Sequence, residues 1–72
     1  MIEAKKINGK IVYINPHLIE SIEVIENNPD TRINFITGKL LVVRDSAEEL
    51  IQKIKDYRRQ IGIEINEPKK TD

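Results

Sequence analysis

The chain has 72 residues, with twelve basic and twelve acidic side chains, no cysteine and a single histidine. A chain of this length forms at most one small domain, and it buries only about 60% of the surface that its unfolded form exposes. The absence of cysteine excludes disulfides, thiolate metal sites and cysteine triads, and the zero net charge disfavours a general binder of nucleic acids.

The aliphatic content is high, with fourteen isoleucines, four leucines and four valines. No apolar run approaches the roughly 18 residues that a membrane-spanning helix needs, so we expect no membrane insertion. Met1 is not followed by the basic and apolar segments of a secretion signal, and we therefore expect a cytoplasmic protein.

The chain begins with a predicted β-hairpin. Asn8-Gly9 lies between two runs of strand-forming residues, and both residues tolerate the positive φ of a type I′ turn. We predict strands over residues 2–7 and 10–14.

The next segment combines a short turn with a third strand. Asn15 is a good N-cap residue, and Pro16 has the φ of the first residue in a helical turn. Together they predict one 3₁₀ turn over residues 16–18. The run 19–26 is ambiguous, because its glutamates recur every third residue, but its β-branched residues favour a strand.

Two further strands are predicted around a second tight turn. Residues 27–30 have loop composition, and strands over 31–36 and 39–43 flank Thr37-Gly38. The continuous apolar run at the end of the fifth strand suggests burial on both of its faces.

A helix is predicted over residues 47–61. Ser46 and Glu49 have the spacing of a capping box, and Gly62 is a natural residue to follow a helix end. Apolar side chains recur at helical spacing at Leu50, Ile51, Ile54, Tyr57 and Ile61. We predict one domain over residues 1–62 and a polar, flexible tail over 63–72.

These elements predict an α+β, mainly β fold: a five-stranded twisted antiparallel sheet or small open barrel followed by one C-terminal helix. Apolar residues fall on both faces of several strands, whereas one helix can cover only one face. We therefore expect self-association as a trimer or dimer. The alternative is a closed monomeric barrel whose outer face is covered by the helix and by Ile63 and Ile65. The expected interface residues are Ile11, Tyr13, Leu40, Leu41, Val42 and Val43.

No set of residues indicates catalysis, a cofactor or a metal, and we expect a protein that is not an enzyme. Glu20, Glu23 and Glu26 alternate between the two faces of a strand, which favours solvated charges over a metal cluster. His17 lies in a turn with no nucleophile or paired acid at a suitable spacing.

The helix carries three basic residues that could contact an acidic partner: Lys55, Arg58 and Arg59. Cations near the C-terminus of a helix also complement its dipole, and their long stems cover apolar surface. The sequence leaves both interpretations open.

Several short motifs together resemble the FlbD/SwrD family of small flagellar proteins. The resemblance covers about residues 1–60 and rests on Ile7-Asn8-Gly9, Asn15-Pro16, Leu18-Ile19-Glu20, Ile22-Glu23, Pro29-Asp30-Thr31, Gly38-Lys39, Val42-Val43 and the Ser46-led helix with Tyr57. It implies a role in flagellar motility, especially swarming, as an accessory factor that supports motor torque, and possible contact with a motor or basal-body component. It implies no enzymatic activity.

A second hypothesis comes from a different class of protein. Small translational regulators of the CsrA type also combine short hairpins with a trailing helix and bind RNA as dimers. The zero net charge and the lack of stacking aromatic residues argue against this alternative.

Overall fold

The computed structural model describes the backbone of residues 1–70 and the side chains of residues 1–60. The elements, in chain order, are β1 (Ile2–Lys5), β2 (Ile11–Ile14), a 3₁₀ turn (Pro16–Leu18), β3 (Ile19–Val24), β4 (Thr31–Phe35), β5 (Leu40–Val43) and α1 (Ala47–Lys70). The predicted order and type of the elements are confirmed, including a strand for the ambiguous third segment. Each strand starts or ends one or two residues inside its predicted range.

The strands form two sheets, so the predicted single five-stranded sheet or small open barrel is wrong. β1 and β2 form an antiparallel hairpin, while β3, β4 and β5 form a separate antiparallel sheet in that order. One bridge between Lys6 and Val43 joins them, beside a hydrogen bond from the Arg44 N–H to the Lys5 carbonyl at 2.7 Å.

The pairing of β1 with β5 stops there because side chains occupy the main-chain groups that a longer ladder would use. The carboxylate of Asp45 accepts the Lys5 N–H at 2.7 Å, and the Lys53 ammonium donates to the Glu3 carbonyl at 2.6 Å. The two sheets therefore meet at one point and separate.

The core lies between the two sheets and the helix. Its buried apolar residues come from the hairpin, the three-stranded sheet and the first turn of α1: Ile2, Ala4, Ile14, Ile33, Val43 and Leu50. Seven partly buried residues pack around them: Val12, Ile19, Ile22, Phe35, Leu41, Ile54 and Tyr57. Helix and strands thus share one small core.

The turn of the first hairpin differs from the predicted two-residue type. The Lys6 N–H donates to the Lys10 carbonyl and the Gly9 N–H to the Lys6 carbonyl, each at 2.8 Å, which makes a three-residue loop. Gly9 has a φ of 89°, while Asn27 is the one non-glycine residue with a positive φ among the described residues. Asn8 keeps a negative φ, and its side chain accepts the Lys10 N–H at 2.9 Å.

We expect Gly9→Val to lower the free energy of unfolding by about 1–2 kcal/mol, because a β-branched residue resists positive φ. A Cβ at this position would meet no atom within 4 Å, so the loss would report backbone strain alone. Urea unfolding measures it, with Gly9→Asn as the matched variant because Asn tolerates positive φ. Equal losses in both variants would contradict the explanation.

The helix begins as predicted and continues beyond its predicted end. Ser46 and Glu49 form the capping box, with the Glu49 N–H 3.1 Å from Ser46 Oγ and the Ser46 N–H 2.9 Å from Glu49 Oε1. The helix runs to Lys70, so the predicted end at residue 61 is wrong. A glycine inside a helix costs only about 1 kcal/mol, so Gly62 alone does not end it. Flexibility of residues 63–72 stays a prediction, and residues 71–72 lie outside those described.

Hydropathy along the described part of the chain gives no candidate for a membrane-crossing helix.

Candidate functional site

Asp45, in the segment between β5 and α1, connects three elements of the fold. Its carboxylate accepts hydrogen bonds from the Lys5 N–H at 2.7 Å and from the Lys53 ammonium at 3.1 Å. Lys53 also donates to the Glu3 carbonyl at 2.6 Å, and the Asp45 carbonyl accepts the Thr31 hydroxyl at 2.7 Å. The group links β1, β4 and α1 to the segment after β5.

The electrostatics of this junction favour the ionised carboxylate. Partial burial raises the pKa of Asp45, while the Lys5 N–H and the nearby Lys53 ammonium lower it, and the net pKa lies below its ordinary value of 3.8. The Asp45 side chain is 13% exposed. Among the described residues, no buried side-chain nitrogen or oxygen lacks a hydrogen-bond partner, so the geometry of the junction suits stabilisation rather than proton transfer.

The three predicted partner-contact residues share one face of α1. Lys55, Arg58 and Arg59 are all exposed, and their spacing places them on neighbouring turns. Arg59 donates to Asp56 at 3.0 Å, whereas no ion pair involves Lys55 or Arg58 among the side chains of residues 1–60. This face presents net positive charge to solvent.

The predicted interface residues do not form one surface. Ile11 and Tyr13 project from the outer face of the hairpin, where they are 45% and 66% exposed. Leu40, on the outer face of the three-stranded sheet, is 57% exposed.

The remaining members of β5 are less available to a partner. Val42 is half-buried on the outer face, and Leu41 packs against the core from the inner face. Val43 is completely buried in the core of its own chain, so it is unavailable to a second chain in this structure. The expected burial of β5 on both faces applies only to its C-terminal half.

Other exposed aliphatic residues were not predicted to lie at an interface, and they lie at or near strand ends: Ile7, Leu18, Val24 and Ile36. Ile51, predicted as part of the apolar face of the helix, is also exposed. Strand parity alone does not identify them, because exposure at a strand end depends on where the neighbouring strand stops.

His17 and Glu23, which the sequence analysis considered for catalysis or metal binding, contact other side chains of the fold. The His17 ring meets the Tyr57 ring edge-on, with centroids 5.8 Å apart. Glu23 pairs with Arg32 across β3 and β4 at 3.2 Å. Within the described residues, no three His, Asp or Glu side chains lie close enough together to hold a metal ion.

A family model described as "Flagellar and Swarming motility proteins" matches residues 1–62. The chain belongs to the FlbD family. The match covers the hairpin, the three-stranded sheet, the Asp45 junction and the described basic face of α1. Comparison with curated proteins and with solved structures gave no significant match.

The family therefore links this chain to flagellar and swarming motility. The resemblance stated from the short motifs is confirmed. The Asp45 junction is a feature that the sequence analysis did not identify. Its partners Lys5 and Lys53 are 40 and 8 residues away, so no local pattern connects them.

Proposed function

We propose that this FlbD-family protein is a non-catalytic flagellar accessory factor that supports swarming by promoting motor torque through protein–protein contacts. The observation that carries the proposal is the family match over residues 1–62, which spans the whole β region and the first part of the helix. Self-association and a cytoplasmic location are part of the proposal.

The surface supports a role in protein contact. Exposed aliphatic and aromatic side chains such as Tyr13, Leu40 and Ile36 coexist with the positive face that Lys55 and Arg58 present. A partner with an acidic surface would complement that face, because charge complementarity favours association and orients it. We propose a component of the flagellar motor or basal body as that partner.

A clean deletion tests the role in motility. We expect reduced swarming together with reduced torque of single tethered motors, and restoration of both when the gene is returned. Normal swarming and normal torque in the deletion strain would overturn the proposal, while lost swarming with unchanged torque would reject the torque step only.

Charge reversal tests the helix face. We expect Lys55→Glu combined with Arg58→Glu to reduce swarming while the free energy of unfolding changes by no more than about 0.5 kcal/mol, because both side chains are exposed. Lys39→Glu, in the exposed β4–β5 turn, is the matched control. Equal swarming in the double variant and wild type would show that the helix face is not part of the contact surface.

The double charge-reversal variant also distinguishes the RNA-binding alternative from the protein-contact proposal. A salt-dependent shift of a defined RNA by the wild-type chain, weakened by the double reversal, would replace the protein-contact proposal.

A further inference from the structure

The outer edge of β2 presents unpaired main-chain groups. The Lys6–Lys10 hydrogen bond fixes the alternation of the hairpin ladder, so that Ala4–Val12 and Ile2–Ile14 are the bonded pairs. The N–H and C=O groups of the residues between them, Ile11 and Tyr13, therefore point away from β1. These two residues place four hydrogen-bonding groups on the open edge.

The other sheet edges in the described chain carry protection that β2 lacks. On the far side of β1, Asp45 and Lys53 occupy main-chain groups of Lys5 and Glu3. On the outer edge of the three-stranded sheet, β3 has a register irregularity between Ile19 and Ser21 and exposed glutamates. Bulges and charges of this kind prevent edge-to-edge pairing.

The remaining edge, along β5, is partly covered by the hairpin. The Lys6–Val43 bridge and the Arg44 hydrogen bonds to Lys5 and Ile7 occupy its C-terminal half. β2, in contrast, consists of Ile-Val-Tyr-Ile, with no charge, proline or bulge. It is the least protected edge of the described structure.

We propose that a second copy of this chain adds to this edge, with the two β2 strands antiparallel and the two-fold axis at Val12. This register places Ile11 of each copy opposite Tyr13 of the other. The edge-facing groups then form two bonded pairs, which together give four main-chain hydrogen bonds. The two Val12 residues face each other as the non-bonded pair between them.

The hydrogen bonds already present favour this register. An axis at Tyr13 would place Ile11 opposite Asn15, whose carbonyl already accepts an N–H of the 3₁₀ turn. An axis at Ile11 would place Tyr13 opposite Gly9, whose N–H already donates within the hairpin loop. The axis at Val12 uses neither of these occupied groups.

The inference deepens the self-association proposed above, and it is independent of the motility role. Loss of swarming in a deletion strain neither supports nor contradicts it, because the experiments below use the purified chain alone.

A single cysteine at the axis tests the geometry. The chain has no native cysteine, so Val12→Cys provides its only thiol. Residues facing each other in a non-bonded antiparallel pair have Cα atoms about 4.5 Å apart, which is within the range that a disulfide spans. We expect mild oxidation of the full chain to produce a covalent dimer at least tenfold faster than in Leu40→Cys, the matched control on another strand. Val12→Cys crosslinking no faster than Leu40→Cys would overturn the proposal, since Leu40 is the more exposed residue.

A second measurement does not depend on the cysteine variant. We expect the wild-type chain to sediment as a dimer at tens of micromolar, with a melting temperature that rises with protein concentration. We expect Tyr13→Lys to sediment as a single folded chain of 8.4 kDa, with a melting temperature that does not depend on concentration. A lysine at this exposed edge position opposes strand addition. A wild-type mass near 8.4 kDa, or an assembly that Tyr13→Lys leaves intact, would overturn the proposal.

Discussion

Leu50→Ala is expected to unfold most of the protein at room temperature. Leu50 is completely buried where α1 meets both sheets, and it belongs to the core cluster. Removing a buried leucine side chain costs about 2–5 kcal/mol, because the lost burial is compounded by the cavity that remains. A domain of this size gains no more than roughly 3–5 kcal/mol from its core, so the loss is comparable to the total stability.

The adjacent residue provides the control for this substitution. Ile51 lies in the same helical turn but is 43% exposed, and we expect Ile51→Ala to cost no more than about 1 kcal/mol. Circular dichroism during thermal and urea unfolding compares the two variants. Similar losses would mean that the helix contributes through its own propensity, and that its attachment to the sheets adds little.

Local sequence signals predicted the elements well because each depended on nearby residues. Glycine at positions 9 and 38 has a positive φ in both tight turns, and the Ser46–Glu49 capping box forms as its spacing predicted. The Asn15 side chain accepts the His17 N–H at 3.0 Å and begins the 3₁₀ turn. In each case the chemistry and the hydrogen-bond partner lie within three residues of each other.

The arrangement of the two sheets could not be predicted in the same way. It depends on whether β5 or a side chain accepts the hydrogen bond from the Lys5 N–H. The side chain that accepts it, Asp45, lies 40 residues away in the sequence. Strand parity separated Tyr13 from Val12 and Ile14, but it could not show that Val43 would be enclosed by the hairpin and helix. The basic helix face was predictable because it required only helical spacing.

Asp45→Asn is expected to lower the free energy of unfolding at neutral pH by about 2–3 kcal/mol. The substitution removes the charge that accepts hydrogen bonds from the Lys5 N–H and the Lys53 ammonium, and charge-assisted hydrogen bonds are worth about 1.5–3 kcal/mol. Asp56→Asn is the matched control, because Asp56 pairs with Arg59 at an exposed position. Exposed pairs of that kind contribute about 0–1 kcal/mol.

The pH dependence of the difference between wild type and Asp45→Asn identifies the charge as its cause. The pKa of Asp45 is lowered in the folded state, so the carboxylate stabilises the fold above its ordinary pKa of 3.8, and this stabilisation is lost as the pH falls through the lowered value. We therefore expect the difference in unfolding free energy to be largest at neutral pH and to shrink steadily below about pH 4. Urea unfolding of both proteins between pH 7 and pH 2.5 measures this, and the other carboxylates cancel in the comparison. A difference that stays constant over this range would show that Asp45 acts through its shape and neutral hydrogen bonding, and that the ion pair with Lys53 does not hold the junction together.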